Sequence, residues 1–331
     1  VRYDNNWYQS RFVHGPVLWR LPPTANLRHE LSGQLPDSLG FVRNLEFLHL
    51  NNNTINGKLP SSLQYCPLVL LDLGQNNLSG EIPTWLGKLT NLTILRLMSN
   101  MFAGNIPAEL GQLENLQILD LSWNNLSGNI PQSFGLDLQF SKNLYLEKSM
   151  DLSGNNLCGV IPEQLADLSA LHNLNLPRNH LKGRIPDKIG NLQSLESLDL
   201  SINELNGTIP QSITALTSLS SLNLSYNNFS GRIPSGDQMQ TLVDPTIYAG
   251  NPYLCGPPIL KNCSGNEPTY TPDETKQHNG GLENIEIFLA TGLGFIVGLW
   301  GVYGVLLFKS AWKNTYFYMI DKMYYKFFAG N

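Results

Sequence analysis

The chain has 331 residues, 42% of them hydrophobic and 14% charged, with a formal net charge of −5. This length accommodates one to three domains, and the mild acidic balance argues against nucleic acid as a partner, because phosphate binding needs a basic face. The 29 glycines and 20 prolines recur at regular intervals rather than in one tract, which points to internal repeats.

Residues 1–28 read as an irregular segment that matches no repeat. Leu31-Ser-Gly33-Gln-Leu35-Pro36 is the back half of a unit, with His29 where later units carry a turn asparagine and Thr24 and Asn26 where they carry strand leucines. The start shows no initiator Met, no apolar signal-peptide core and no cysteine cap, so the chain is expected to be a fragment or a truncated gene product.

From residue 29 to residue 234 one unit recurs. Leu92-Thr-Ile-Leu95-Arg-Leu97-Met-Ser-Asn100-Met-Phe102-Ala-Gly104-Asn-Ile106-Pro107 sets the register, and Leu116 to Pro131 repeats it. The turn asparagines fall at Asn53, Asn76, Asn100, Asn124, Asn155, Asn179, Asn203 and Asn227; six of the seven steps are 23 or 24 residues (100 − 76 = 24), and one is 31 (155 − 124). Eight such matches, plus one partial unit, specify a leucine-rich-repeat solenoid.

The chemistry of the unit is legible. The x-L-x-L-x stretch alternates with period 2 and predicts a short strand, with Leu95 and Leu97 inward and Arg96 and Met98 on a concave, solvent-facing side. The asparagine amide can satisfy backbone groups exposed by the bend, so stacked copies predict an asparagine ladder. Gly permits the backbone after the turn and Pro ends the L-x-G-x-I-P stretch extended. Residues such as Ala108 to Leu113 predict a short helix or 3₁₀ turn on the convex side.

The L-x-G-x-I-P variant resembles the plant extracellular leucine-rich-repeat proteins: receptor-like kinases, receptor-like proteins and polygalacturonase-inhibiting proteins. The resemblance covers roughly residues 31–326 and implies a second sheet. In receptor-like proteins a longer island interrupts the array before its last four repeats. Here the long step inserts residues near 135–148, which is either a plain loop or a shortened island.

Residues 235–263 look like the C-terminal cap of plant receptor-like proteins, with Tyr248-Ala-Gly-Asn-Pro-Tyr-Leu-Cys255 followed by Cys263. The resemblance implies a Cys255–Cys263 disulfide, which requires an oxidising compartment. Cys66 and Cys158 replace an apolar and a serine position of the unit and read as structural, unreactive thiols.

After an acidic linker, 264–286, residues 287–308 carry no charge; at ~1.5 Å per residue they span a hydrocarbon core of roughly 30 Å. Glu283 and Glu286 precede this transmembrane helix, and Lys309, Lys313, Lys322 and Lys326 follow it. The positive-inside rule places the repeats outside and the tail, 309–331, in the cytoplasm: a single-pass type I protein of the plasma membrane. Ala290, Gly294 and Gly298 recur every four residues, either as ordinary membrane glycines or as a packing face for a partner helix. The tail is too short for a kinase and looks like that of receptor-like proteins of the fungal-xylanase-receptor type. That resemblance implies a protein or peptide ligand, adaptor and co-receptor kinases as partners, with a co-receptor facing residues 171–230, and plant defence as the setting. Alternatives are a wall-protein binder of the polygalacturonase-inhibitor kind and a non-signalling remnant.

Glycosylation sequons begin at Asn52, Asn77, Asn91, Asn125, Asn206, Asn223, Asn228 and Asn262. Asn77, Asn125 and Asn228 are expected to be hindered near the turn, and Asn91 and Asn206 to be open. The concave face is the default ligand surface of a solenoid. Its candidate contacts are Phe47, His49, Arg96, Met98, Trp123, Arg178 and Tyr226. Asp72, Asp120, Asp151 and Asp199 recur at one strand position, and with Arg96 they read as a salt-bridge ladder. No G-x-S-x-G, H-E-x-x-H or C-x-x-C occurs, and no Cys/His cluster has metal spacing, so neither catalysis nor a metal or cofactor is expected.

Overall fold

The structure, a computed structural model, describes residues 24–26, 31–136 and 148–263. The chain divides into two units, Val1–Gly265 and Asn266–Asn331. The expected linker, membrane helix with its Ala290, Gly294 and Gly298, and tail lie outside the described residues. Among the described residues no helix is long and apolar enough to cross a membrane.

Nine three-residue strands form one parallel sheet, Thr24–Asn26, Phe47–His49, Leu70–Asp72, Ile94–Arg96, Ile118–Asp120, Ser149–Asp151, Asn173–Asn175, Ser197–Asp199 and Ser221–Asn223, in chain order. In the eight strands from Phe47–His49 onward the middle residue is buried and most of its neighbours are half-buried, as period-2 alternation requires; Leu95, Leu119 and Met150 are examples. The first strand corrects the register read from sequence. Its backbone partners are Thr24↔Phe47, Ala25↔Leu48 and Asn26↔His49, so Ala25, and not Thr24 or Asn26, is in register with a strand leucine. Three residues is too little pattern to fix a register alone, and a one-residue slip exchanges the two faces.

The implied second sheet is present as two pieces. Six strands run from Ser32–Gln34 to Asn156–Cys158, and four from Lys182–Gly183 to Tyr253–Cys255. A single Val160↔Lys182 bridge joins them. The convex side is built from 3₁₀ turns, such as Thr84–Lys88 and Ala108–Gln112, each entered through an extended proline. Glycines let these turns touch: a Cβ on Gly87 would lie 2.1 Å from the Glu109 carbonyl oxygen. Before the long step an α-helical turn, Ser133–Leu136, replaces the 3₁₀ turn, and the sheet continues across the insertion with Met150 beside Leu119.

Between the layers lies one continuous apolar core, in which Leu48, Leu71, Leu95, Leu174 and Leu198 are fully buried, as are Leu73, Leu97 and Leu176. Each such side chain contributes roughly 1.5–3 kcal/mol relative to exposure, and each is covered by the neighbouring repeat.

Candidate ligand-binding face

Each strand ends in a tight turn. The residue before the asparagine adopts positive φ: Ser99 (53°), Trp123 (54°), Arg178 (57°), Ile202 (54°) and Tyr226 (55°), with Gly154 and Gly250 in the same column. This conformation costs a non-glycine residue about 1–2 kcal/mol. The turns offset it by bonding to one another: Ser99 N donates to Ser122 O (2.8 Å) and Trp123 N to Ser153 O (2.8 Å).

The asparagines close the turns. Asn100 Nδ2 donates to Leu73 O (2.9 Å), Leu97 O (3.1 Å) and Met98 O (3.2 Å), while its Oδ1 accepts from Leu78 N (2.9 Å). One amide thus ties its own turn to the preceding repeat. The ladder has a rung that the sequence reading missed. Asn251 donates to Leu224 O (3.0 Å) and Tyr248 O (3.0 Å), and accepts from Phe229 N (3.0 Å). The 24-residue step from Asn227 was the available signal, obscured because the cap lacks the flanking leucines. Within the cap, Cys255 and Cys263 form a disulfide with Cα atoms 5.0 Å apart. Cys66 is buried and burial pushes its thiol up, whereas Cys158 is exposed.

The recurring aspartates do something other than form a salt-bridge ladder. Asp120 Oδ1 accepts from Ser122 N (3.1 Å) and Ser122 Oγ (2.6 Å), Asp151 Oδ1 from Ser153 N (2.9 Å) and Asp199 Oδ1 from Ser201 N (2.8 Å). They fasten the backbone leaving each strand, an Asx-type bond. Asn223 does the same, accepting from Ser225 N (3.2 Å) and Oγ (2.7 Å). Among the described residues Arg96 forms an ion pair with Asp72 alone, at 3.9 Å, a distance and exposure that contribute less than about 1 kcal/mol, and it stands opposite Asp120 in the ladder. Burial pushes the Asp120 carboxyl above its ordinary value; Ser122 opposes this, Asp151 adds to it and Arg96 opposes it.

The predicted contact residues separate into two sets. Arg96 and Met98 line a shallow hollow of about 340 Å³ together with Asn51, Asp72, Gly74, Gln75 and Asp120. Gly74 leaves the floor bare, since a Cβ there would lie 2.9 Å from Met98 Cγ. Phe47 and His49 are half-buried on the adjoining strand, His49 opposite Asp72. Trp123, Arg178 and Tyr226 belong instead to the turn column at the edge of the sheet. Trp123 is 55% and Tyr226 62% exposed, and each lies against the glycine of the next turn, Gly154 and Gly250. Sequence reasoning missed Asn51 and Gln75. Apart from Phe47, it also missed the first position of these strands: Leu70, Ile94 and Ile118 before the insertion, then Ser149, Asn173, Ser197 and Ser221.

Of the sequons, Asn77, Asn125 and Asn228 are exposed at the heads of outer-sheet strands rather than hindered, and Asn91 and Asn206 are also exposed. Asn223 is half-buried on the concave sheet, with Nδ2 donating to Asp199 Oδ2 at 3.3 Å.

These features define a leucine-rich-repeat solenoid of the two-sheet kind. Leucine rich repeat family models match residues 184–229, and 44–66, 67–89, 115–136 and 148–168. Receptor-like proteins EIX2 and EIX1 of Solanum lycopersicum are each 40% identical, over 94 and 91 residues, 27% and 25% of this chain. The chain spans 9% of the length of each of these relatives. The ectodomain of the Arabidopsis thaliana receptor kinase GASSHO1/SCHENGEN3, solved with Casparian strip integrity factor 2, is 36% identical with a TM-score of 0.59, covering 70% of this chain and 30% of that one. The Arabidopsis HAESA ectodomain, solved with an extended IDA peptide hormone, is 37% identical with a TM-score of 0.60, covering 68% and 36%. A plant ice-binding protein is 30% identical with a TM-score of 0.55, covering 73% and 84%. The chain carries leucine-rich repeats and is similar, over about a quarter of its length, to plant receptor-like proteins.

Proposed function

We propose that the chain forms the membrane-proximal part of a cell-surface receptor, anchored by one type I helix over residues 287–308. It binds a protein or peptide ligand on its concave face and signals through adaptor and co-receptor kinases in plant defence. The observation that carries this reading is the hollow on the concave sheet at Arg96 and Met98, in a solenoid whose solved neighbours GASSHO1/SCHENGEN3 and HAESA were captured with peptide ligands. Phe47, His49, Arg96 and Met98 contact the ligand directly, and Trp123, Arg178 and Tyr226 contact its overhanging parts from the rim. The lysines after residue 308 and the glutamates before residue 287 support the orientation. Ala290, Gly294 and Gly298 supply the face on which a partner helix packs. Exposed sequons at Asn77, Asn91, Asn125, Asn206 and Asn228 carry glycans.

The test is expression in plant cells with a C-terminal tag, beside the Gly294→Leu/Gly298→Leu variant. The expected result is a glycosidase-sensitive mass shift and co-purification of a receptor kinase that the variant loses. A shifted band whose kinase survives the variant moves that contact to the repeats or tail. Absence of both shift and kinase refutes a surface receptor and leaves a non-signalling remnant.

A further inference from the structure

The concave sheet changes character at the insertion. On the four strands nearest before it, the half-buried outward row is Phe47, Leu70, Ile94 and Ile118, and adjacent strands stack these side chains about 4.8 Å apart. On the four strands after it the row is Ser149, Asn173, Ser197 and Ser221, and the next row bonds within itself: Asn175 Nδ2 to Asp151 Oδ2 and Asn223 Nδ2 to Asp199 Oδ2, both 3.3 Å. The second half therefore pairs amides with carboxylates along its own ladder, while the first offers apolar surface.

Beside that apolar row lies the hollow, whose polar lining includes two carboxylates. Asp72 and Asp120 line it, and Asp151 stands opposite Asp120 in the ladder. The buried Oδ1 of Asn51, which also lines it, accepts no hydrogen bond among the described residues. Arg96 is the one cation among the hollow's lining residues, and it sits 3.9 Å from Asp72. Adjacent like charges in a ladder repel, and an acceptor left dry is costly. Both are relieved by an incoming group that carries donors and positive charge.

We infer that the hollow anchors a basic, extended peptide: a ligand lysine or arginine enters beside Asp120, on its side toward Asp151, and neighbouring apolar side chains lie on the Leu70–Ile94–Ile118 row. This rests on the concave-face reading above and narrows it to one half of the sheet and one ligand chemistry.

The full chain, purified in nanodiscs, is panned against a random dodecapeptide display library. Enriched clones are expected to carry Lys or Arg within two or three residues of a Leu, Ile, Val or Phe. A synthetic peptide of the leading clone should bind at least tenfold more weakly to the Asp120→Asn/Asp151→Asn double variant. It should change less than twofold with Asp199→Asn, which removes the same kind of charge from the second half. These variants retain the strand-to-turn bond, because Asn223 already makes it at the equivalent position. Neutral or acidic clones that Ile94→Ser nonetheless abolishes overturn the inference and leave the concave-face reading standing. Equal losses in Asp199→Asn and the double variant overturn it in favour of diffuse attraction. Clones indifferent to both Ile94→Ser and Asp120→Asn bind elsewhere, and then the concave-face reading falls too.

Discussion

Replacing Asn155 with alanine tests the ladder where it is most enclosed. Asn155 is 5% exposed. Its Nδ2 donates to Leu121 O (3.0 Å), Leu152 O (3.1 Å) and Ser153 O (3.2 Å), and its Oδ1 accepts from Leu126 N (3.0 Å). Alanine removes all four bonds and leaves a buried N–H and buried carbonyls without this partner. An orphaned buried donor costs ~1–3 kcal/mol and each of the three further lost bonds ~1 kcal/mol, so the total is roughly 4–6 kcal/mol. For an array of this size that lowers Tm by roughly 8–24 °C. Asn156→Ala is the control: its exposed amide bonds Asn125 Oδ1, and its loss should cost under ~1 kcal/mol. Asn155→Asp sharpens the test, because it keeps the acceptor but turns an oxygen toward three carbonyls; it should be at least as damaging as alanine. Tryptophan-fluorescence melts of the full chain in detergent give the answer. A shift below 2 °C for Asn155→Ala, or a wild-type melt for Asn155→Asp, refutes the claim that the amide ties the repeats together.

Gly87→Ala pushes a methyl against the Glu109 carbonyl from 2.1 Å and should cost about 1–3 kcal/mol, read as a lower urea midpoint at unchanged m. Tyr248 is 2% exposed, its hydroxyl has no hydrogen-bond partner among the described residues, and burial pushes its phenol up to about 12. An unfolded phenol ionises near pH 10, so wild-type stability should be intact below pH 10 and fall by at most about 2–3 kcal/mol as pH rises toward 12. Tyr248→Phe should be as stable as wild type at pH 8 and lack that alkaline fall; urea midpoints that drop in parallel for both proteins would count against it. Mass spectrometry of glycopeptides from plant-expressed protein should find Asn223 unmodified, because its amide is bonded to Asp199, and Asn91 and Asn206 occupied.

The unit spacing, the inward leucines and the asparagine ladder were legible because each is a local pattern repeated eight times, so that a fault in one copy does not hide the rule. The degenerate copies were not. Ala25 at the start and Asn251 in the cap are identified by register and hydrogen bonds with a neighbouring repeat, which a single unit does not contain. The cysteine pair was readable from the cap's resemblance, and the structure brings the two sulfurs together.

Sequence by itself determined the solenoid, because a unit with two inward leucines per strand buries them only against another copy. It also marked which side chains face outward, since strand alternation is fixed at period 2. Only the tertiary structure decided what those outward residues do. Asp120 and Asp199 turned out to fasten their own turns, and Trp123 and Tyr226 to lie on glycines one repeat away. Asn51, Gly74, Arg96 and Asp120 became one hollow although they lie up to 69 positions apart (120 − 51). The physical reason is that stacking sets neighbours about 4.8 Å apart across strands, a distance that no interval along the chain encodes until the register is known.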